Sequence, residues 1–524
     1  MNERPMNEQP VTTSKRLVHN TFFNVAALVC NAVIGFFLIR FFLGQLGEAR
    51  YGVWLLVGGL IFRYAPLLNM GLNSSINRYV PVYLAKNNEE GLQRVVSTSF
   101  FFFSILAVVL IVATLAIYYN VGSWFTIQSE LVPTAKILVL VVGFCFALVM
   151  PLQLSGAVLS GLQRYDIINL AMMIPLLLRT IVLVVLLSQG YGLLTMGLAF
   201  GLSEITMRLL QVFFAKKLLP QISLSFANID FRLLRQMLAY GINTFLYAMG
   251  AIIIYYASTL IIGIFMGTEQ ISQFHAATAG VLLLSQLLQA FTAAIKPAVS
   301  DLDARDDKAG VKEIAFLTQK YSLLLIMPGA CFLIAMGREF LRVWVGEKFQ
   351  DPAVIDTMGT ILGILTVGHC LRLAQHSNFL VLVGRGQHRV FGIFTALTAL
   401  LCVSGSIISV RVLNWGLLGI AWSNFMPMVL ISGFILPIYF NWKMRISVLE
   451  SVRNVWKPAL LGSLPVVAMI GVWKYVAPPN SWIEIVAVVI AAIVLTVVSG
   501  WCLSLKEVEQ KRFAHIALRK RNRG

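Results

Sequence analysis

The chain has 524 residues, of which 58% are hydrophobic and only 12% are charged, and its mean hydropathy is +0.81. This composition excludes a soluble globular protein, because one core cannot hide so much apolar surface, and it predicts a bilayer as the second solvent. The formal net charge of +18 does not indicate nucleic acid, because the basic residues are distributed over alternate loops between apolar segments.

Apolar runs of about 20 residues, separated by charged or Gly/Pro breaks, predict an all-α polytopic membrane protein with about fourteen transmembrane helices. No cleavable signal peptide is expected, because the N-terminal segment is polar and the first apolar run is long enough to span a bilayer. The loops are too short to hold a catalytic domain. The predicted spans are 21–43, 51–83, 95–119, 132–155, 166–188, 192–215, 237–265, 270–300, 318–336, 354–382, 390–410, 415–441, 454–475 and 482–504.

Basic residues are concentrated in every second loop, and this asymmetry predicts that both termini are cytoplasmic. The basic C-terminal tail, Arg519 to Arg523, then lies on the same side, either as a topology anchor or in contact with anionic lipid headgroups. Among the residues assigned to the cytoplasmic side are Lys86, Arg94, Arg164, Lys216, Lys217, Lys320 and Arg385.

Polar residues interrupt the first two spans. The second carries Asn69 and Asn73 at a four-residue step with Arg63 and Arg78 on the adjoining flank, and the first contributes Asn31. A fixed cation at membrane depth costs about 2.5–3.5 kcal/mol on insertion scales, so it normally faces a protein interior or a watery cavity. The asparagines either line that cavity or form hydrogen bonds between helices.

One acid lies deep in the sixth span. Glu204 precedes Arg208 by four residues, the favourable order for an ion pair on one helix. We therefore predict a structural pair rather than a binding site.

The eighth and tenth spans each carry a polar stripe at helical spacing. The stripe of the eighth span consists of Gln286, Gln289, Thr292 and Lys296. The stripe of the tenth span consists of His369, Arg372 and His376. Together with Arg63 and Arg78, these cations predict a cavity for an anionic cargo, although Lys296 and Arg78 are close enough to the inner end to extend to the interface instead.

Sequence matches at a nearly constant displacement relate the first six spans to the next six. Residues 85–87 (AKN) match 304–306 (ARD) at a displacement of 219, and residues 191–194 (YGLL) match 415–418 (WGLL) at 224. A repeat of six spans preserves orientation, so we predict two parallel six-helix lobes, at 1–225 and 226–445, with the substrate site between them. Residues 446–524 then form two extra helices and the tail.

The six cysteines all lie within apolar spans, which is typical of small core residues. They form no cluster with the spacing of metal ligands. We predict neither a metal nor a cofactor.

Short segments spread over the chain resemble a known family. They are residues 71–80 (GLNSSINRYV), 160–166 (SGLQRYD), 343–346 (VWVG) and 415–419 (WGLLG). With the pattern of fourteen spans, they resemble the oligosaccharide or polysaccharide flippases of the multidrug/oligosaccharidyl-lipid/polysaccharide exporter superfamily.

This resemblance implies a transporter, not an enzyme, in the bacterial inner membrane, with a V-shaped cavity between two lobes and alternating access. The implied cargo is an undecaprenyl-pyrophosphate-linked oligosaccharide, which moves to the periplasmic leaflet for assembly of O-antigen, capsule or exopolysaccharide. The implied partners are this lipid-linked substrate, membrane lipids and a polysaccharide polymerase or export complex, and they include no nucleic acid.

Three alternatives stay open. A lipid II flippase has the same architecture, but its pattern places an arginine-containing motif where this chain has residues 20–24. A multidrug or cation extruder needs acids in the first or seventh span, and these spans have none. A membrane-bound glycosyltransferase or polymerase needs paired carboxylates, and Glu339, Glu347 and Asp351 in one short outer segment are a poor match.

Overall fold

The computed structural model describes residues 13–511 apart from 293–294, 350, 388 and 508, and it describes no side chains for residues 13–29, 32, 243 and 244. Within these limits every regular element is helical, as predicted. The basic tail, Arg519 to Arg523, and both termini lie outside the described residues, so their cytoplasmic location stays a prediction.

The chain divides into two compact units, Met1–Ser272 and Gln273–Gly524. The first unit contains α1 (Thr13–Gly59), α2 (Leu72–Ala85), α3 (Glu89–Trp124), α4 (Val132–Gly161), α5 (Tyr165–Ser188), α6 (Leu193–Leu218) and α7 (Phe231–Phe265). The boundary lies within α8 (Thr268–Thr292). The second unit continues with α9 (Ile295–Ala304), α10 (Lys308–Val345), α11 (Pro352–Ala374), α12 (His376–Gly384), α13 (Arg389–Arg411), α14 (Gly416–Pro427), α15 (Leu436–Met444), α16 (Val448–Ser451), α17 (Lys457–Val476) and α18 (Trp482–Ser499).

The boundary of the units differs from the predicted lobe boundary at 225/226 because α7 packs against α1, α2 and α3. The two six-helix lobes and the V-shaped cavity between them therefore stay predictions. Within the first unit, α4 packs against α3 and α6, and α5 packs against α1 and α6.

The described residues contain thirteen helical runs that are long and apolar enough to cross a membrane, so the protein is a multi-pass membrane protein. The first run, Val33–Asn69, includes Gly47, where α1 leaves helical geometry at φ 77°. This run corresponds to parts of the first two predicted spans, which accounts for the difference from fourteen.

A change of helix type precedes α2. Leu60–Tyr64 form a π-helical turn, Ala65–Asn69 form a 3-10 turn with Pro66 near its start, and Met70 and Gly71 have positive φ. Proline removes a backbone donor, which disfavours a continuous α-helix at this point. The polar residues on either side of the turn therefore lie on separate helical segments.

Helix α10 is the centre of the second unit. It packs against α9, α11, α12, α17 and α18. Leu323 and Leu324 of α10 form an apolar cluster with Val455 and Ala459, which lie at the start of the thirteenth predicted span. The last two predicted spans thus belong to the same packed unit as α10.

Lys320, which the loop charges assign to the cytoplasmic side, is buried and has an ion-pair partner in the structure. It lies in α10 with its side chain only 2% exposed, and its Nζ is 2.7 Å from both carboxylate oxygens of Glu509. It also donates to the carbonyl oxygen of Ser504 at 3.4 Å. Lys320 therefore links α10 to the segment after the last span through a buried ion pair, and its location on the cytoplasmic side stays a prediction.

The internal repeat is visible in local structure. Asn87 and Asp306, displaced by 219 residues, both have a φ near 50°, a left-handed conformation that Asn and Asp tolerate. The next residue caps a helix in each case. Asn88 accepts the Gly91 N–H at 2.7 Å, and Asp307 accepts the Gly310 N–H at 2.8 Å. The chain therefore builds the same turn and helix start twice.

Candidate anion-binding site

The eleven predicted site residues are divided between the two units. The first unit holds Asn31, Arg63, Asn69, Asn73 and Arg78. The second unit holds Gln286, Gln289, Lys296, His369, Arg372 and His376. Their convergence on one cavity stays a prediction, and each set has its own geometry.

Arg63 lies in the π-helical turn, where the helix departs from its regular hydrogen-bond ladder. Its guanidinium carbon is 4.5 Å from the centre of the Tyr256 ring on α7. Among the described residues no carboxylate is within ion-pair distance of Arg63. The neighbouring Tyr64 hydroxyl is buried and has no hydrogen-bond partner within the described part of the chain. The turn therefore carries an exposed cation followed in sequence by a buried hydroxyl.

Arg78 repeats this arrangement on α2. Its guanidinium carbon is 4.5 Å from the Tyr240 ring centre and 6.0 Å from that of Tyr79. As far as the structure describes the chain, Arg78 too has no carboxylate within ion-pair distance. Sequence reasoning missed Tyr240 and Tyr256, and nothing in a single sequence indicates which aromatic residue of α7 lies beside which arginine.

The three asparagines have different environments. The Oδ1 of Asn69 accepts the Gly71 N–H at 2.9 Å, so this side chain stabilises the break before α2. The Oδ1 of Asn73 is buried, and no described residue donates to it. Asn31 is exposed. Asn73 is the member of this set that offers an open acceptor inside the protein.

In the second unit, Lys296 and Gln289 are exposed and Gln286 is half-buried. Within the described residues no carboxylate is near enough to form an ion pair with Lys296. Thr292, on the same stripe, is buried and donates to the Leu288 carbonyl oxygen at 2.7 Å. The exposed members of this stripe keep their polar groups available.

His369, Arg372 and His376 lie where α11 passes into α12. His369 is buried and His376 is half-buried, and the charge of Arg372 acts on both imidazoles. Gln375 at the junction accepts a hydrogen bond from Asn378 at 2.9 Å. Arg372 and the two histidines therefore form one electrostatic group in the second unit.

Comparison with known proteins decides the family. The family model for polysaccharide biosynthesis proteins matches residues 49–354, which is more than half of the chain. The chain belongs to the polysaccharide biosynthesis protein family. This membership confirms the resemblance drawn from the sequence. Comparison with curated protein sequences gives no match.

Solved structures show the fold of this polysaccharide biosynthesis protein. The inward-closed lipid II flippase MurJ matches with a TM-score of 0.70 at 16% identity, over 91% of this chain and 98% of that one. An inward-facing MATE family multidrug resistance transporter of the MOP superfamily matches with a TM-score of 0.63 at 15% identity, over 81% of this chain and 94% of that one. A MOP superfamily transporter from Pyrococcus furiosus matches with a TM-score of 0.60 at 16% identity, over 82% of this chain and 95% of that one. The fold is that of the MOP superfamily transporters.

This family member holds a further charged cluster between α5 and α6, where the predicted pair of Glu204 and Arg208 is wrong. The Nη1 of Arg208 donates to Gln211 at 2.9 Å, and within the described residues Glu204 forms no ion pair. The charge of Glu204 acts on both Arg208 and Arg179, and the Arg179 guanidinium carbon is 3.9 Å from the Phe200 ring centre. One carboxylate thus lies near two arginines.

Replacing Glu204 with glutamine should destabilise the folded protein, because Arg179 and Arg208 then have no counter-charge. We expect a loss of about 1–3 kcal/mol, the range for a buried polar group that loses its partner. The measurement is the temperature at which half of the detergent-solubilised protein leaves the monodisperse peak in size-exclusion chromatography.

The double variant Glu204→Gln/Arg208→Gln should recover part of that loss. Glu90→Gln is the matched control, because Glu90 forms an exposed pair with Arg94 at 2.5 Å and its loss should change little. Parent-like stability of Glu204→Gln would show that the cluster is not structural. Normal stability with a severe loss of transport would instead assign it a role in mechanism.

Proposed function

We propose that this protein is a flippase that moves an undecaprenyl-pyrophosphate-linked oligosaccharide from the cytoplasmic to the periplasmic leaflet of the bacterial inner membrane. The product would supply the synthesis of O-antigen, capsule or exopolysaccharide. Membership of the polysaccharide biosynthesis family and a transporter fold support the proposal. Both termini are then cytoplasmic, and a polysaccharide polymerase or export complex is the expected partner on the far side.

The cationic side chains carry this proposal. Arg63 and Arg78 have no carboxylate partner among the described residues and lie against tyrosine rings. A guanidinium fork matches the oxygen geometry of a pyrophosphate, and such charge-assisted hydrogen bonds are about twice as strong as neutral ones. These arginines would offset the desolvation of the headgroup while the polyprenyl tail stays in lipid.

The direction of transport has an electrical driving force. The sequence contains no Gly-x-x-x-x-Gly-Lys motif for nucleotide binding, so we expect the energy to come from gradients. Moving one charge through 100 mV is worth about 2.3 kcal/mol, so two negative charges moving out of a negative cytoplasm release about 4–5 kcal/mol.

A lipid II flippase is the second candidate, and its support is the match to MurJ over 91% of this chain. Its cargo presents the same pyrophosphate, so the cationic residues do not distinguish between the two candidate functions. A multidrug or cation extruder is less favoured. Glu204, the acid deep in the sixth predicted span, lies near two arginines and would not present a free negative charge to an organic cation.

Deletion of the gene and complementation with the full chain test the proposal. We expect the deletion strain to lose surface polysaccharide and to accumulate the lipid-linked oligosaccharide in its inner membrane, with both restored by the parent gene. Normal surface polymer, together with accumulation of peptidoglycan precursor, would contradict the proposal and favour the lipid II flippase.

A further inference from the structure

The two arginine–tyrosine pairs lie where α7 packs against α2 and against the π-helical turn that precedes it. The helices run antiparallel and touch through their backbones, since a Cβ added to Gly241 would lie 2.6 Å from the Gly71 carbonyl oxygen. One turn further along, the Ser75 hydroxyl donates to the Met237 carbonyl oxygen. This close contact fixes where Arg78 of α2 meets α7, whereas Arg63 meets α7 from the π-helical turn before the break.

We call Arg78 with Tyr240 the inner pair and Arg63 with Tyr256 the outer pair. The guanidinium carbon is 4.5 Å from the ring centre in both. Each guanidinium lies over a tyrosine ring, and no carboxylate among the described residues pairs with its N–H groups. Both arginines are exposed, which keeps these donors accessible. Each pair is therefore a separate binding position for an anionic group.

The inner pair has additional aromatic surface. The Arg78 guanidinium also lies 6.0 Å from the Tyr79 ring centre, and Tyr79 stacks on Tyr83 with ring centres 6.2 Å apart. Tyr240 is 44% exposed. Flat, partly exposed rings beside a cation suit a headgroup in which a sugar adjoins a phosphate, because a tyrosine offers an apolar face and a polar tip.

The two pairs are too far apart to hold one pyrophosphate together. Tyr240 and Tyr256 are sixteen residues apart on α7, which corresponds to about 24 Å along the axis and a rotation of about 160°. This rise is most of the roughly 30 Å thickness of a hydrocarbon core. A pyrophosphate must leave one pair before it reaches the other.

We infer that the inner and outer pairs are two subsites that the sugar-pyrophosphate headgroup occupies in succession. This inference rests on the proposed function, which places the start of α7, with its basic Arg232 and Arg235, on the cytoplasmic side. The inner pair captures the headgroup with its first sugar, and the outer pair receives the pyrophosphate on the way out. Neither step makes or breaks a covalent bond.

Photo-crosslinking in inverted membrane vesicles tests the order. Benzoylphenylalanine replaces Ala239 beside the inner pair or Ala257 beside the outer pair, and Phe213, an exposed apolar position on α6, is the control. The probe is tritiated undecaprenyl-pyrophosphate N-acetylglucosamine. The full chain should capture the probe at 239 and 257 at least tenfold more than at 213.

The variants separate the two subsites. Arg63→Gln should keep capture at 239 within twofold and lower capture at 257 at least tenfold, whereas Arg78→Gln should lower both at least tenfold. Arg63→Lys and Arg78→Lys keep the charge and should restore part of the capture, which distinguishes lost binding from misfolding.

An equal loss of probe capture at 239 and 257 in Arg63→Gln, or full capture at 257 in Arg78→Gln, would contradict the order of the two subsites. Either result would leave the proposed flippase function standing. Absence of capture above the Phe213 control in the parent chain would overturn the subsites and contradict the proposed cargo as well.

Discussion

Cells that carry Arg63→Ala are expected to lose at least nine-tenths of their surface polysaccharide, and Arg372→Ala should have the larger effect. Each change removes charge-assisted hydrogen bonds to the pyrophosphate, worth about 1.5–3 kcal/mol, which corresponds to roughly a 10- to 150-fold loss in binding. Arg372 is half-buried whereas Arg63 is exposed, so the charge of Arg372 acts in a lower dielectric. Surface polymer is measured by gel electrophoresis of cell extracts.

Arg94→Ala is the matched control, because Arg94 forms an exposed ion pair with Glu90 and lies in no predicted stripe. It should leave polymer levels unchanged. Immunoblotting of membranes must show parent-like amounts of every variant, so that a loss of polymer is a loss of transport. Parent-like polymer in both Arg63→Ala and Arg372→Ala would rule out the cationic mechanism.

The largest expected effect on stability is that of Glu509→Gln. Lys320 is 2% exposed and Glu509 is 12% exposed, so the variant leaves a buried ammonium without its carboxylate. Breaking a buried ion pair by removing one partner costs about 3–5 kcal/mol. The loss should appear as a lower temperature at which half of the detergent-solubilised protein stays monodisperse.

Two further variants test whether the loss of stability comes from the unpaired buried charge. The exposed ion pair of Arg305 with Asp301 lies at 2.9 Å with side chains 69% and 60% exposed, and Asp301→Asn should cost less than about 1 kcal/mol. Replacing both buried partners, Lys320→Met with Glu509→Leu, should recover most of the lost stability, because it removes both charges. If Glu509→Gln lowers the stability no more than Asp301→Asn, the buried ion pair of Lys320 with Glu509 does not stabilise the protein.

Much of the fold could be predicted from residue patterns, because in a bilayer the helix is the form that satisfies the backbone internally. The apolar runs located the spans, and the matched turns at Asn87 and Asp306 show that the repeat reaches the level of backbone dihedrals. The change of helix type before α2 likewise has a local cause, the missing backbone donor of Pro66.

The side-chain partners could not be predicted, because they come from helices distant in sequence. Tyr240 and Tyr256 lie beside Arg78 and Arg63 through the packing of α2 and the π-helical turn on α7. The i, i+4 spacing of Glu204 and Arg208 gives no ion pair among the described residues, because other side chains compete for both groups. Gln211 accepts from Arg208 instead, and Arg179 of the neighbouring helix shares the charge of Glu204.

Lys320 shows the limit of loop-charge reasoning. Loop charges assign it to the cytoplasmic side, which stays a prediction, and the structure places it inside α10, which begins at Lys308. Its carboxylate partner, Glu509, lies beyond the last span. A charge count assigns such a residue to a side of the membrane and does not reveal a partner far along the chain.

Translocation by the purified chain in liposomes tests the central claim most directly. The vesicles contain a fluorescent undecaprenyl-pyrophosphate disaccharide, and an impermeant reductant reports the label that reaches the outer leaflet. We predict that the protein exposes nearly all of this label to the reductant and does not move a neutral glycosylated polyprenol between the leaflets. The variants Arg63→Ala and Arg372→Ala should lose the activity. Equal movement of the charged and neutral lipids, or parent-like activity in both variants, would contradict a carrier that recognises an anionic headgroup.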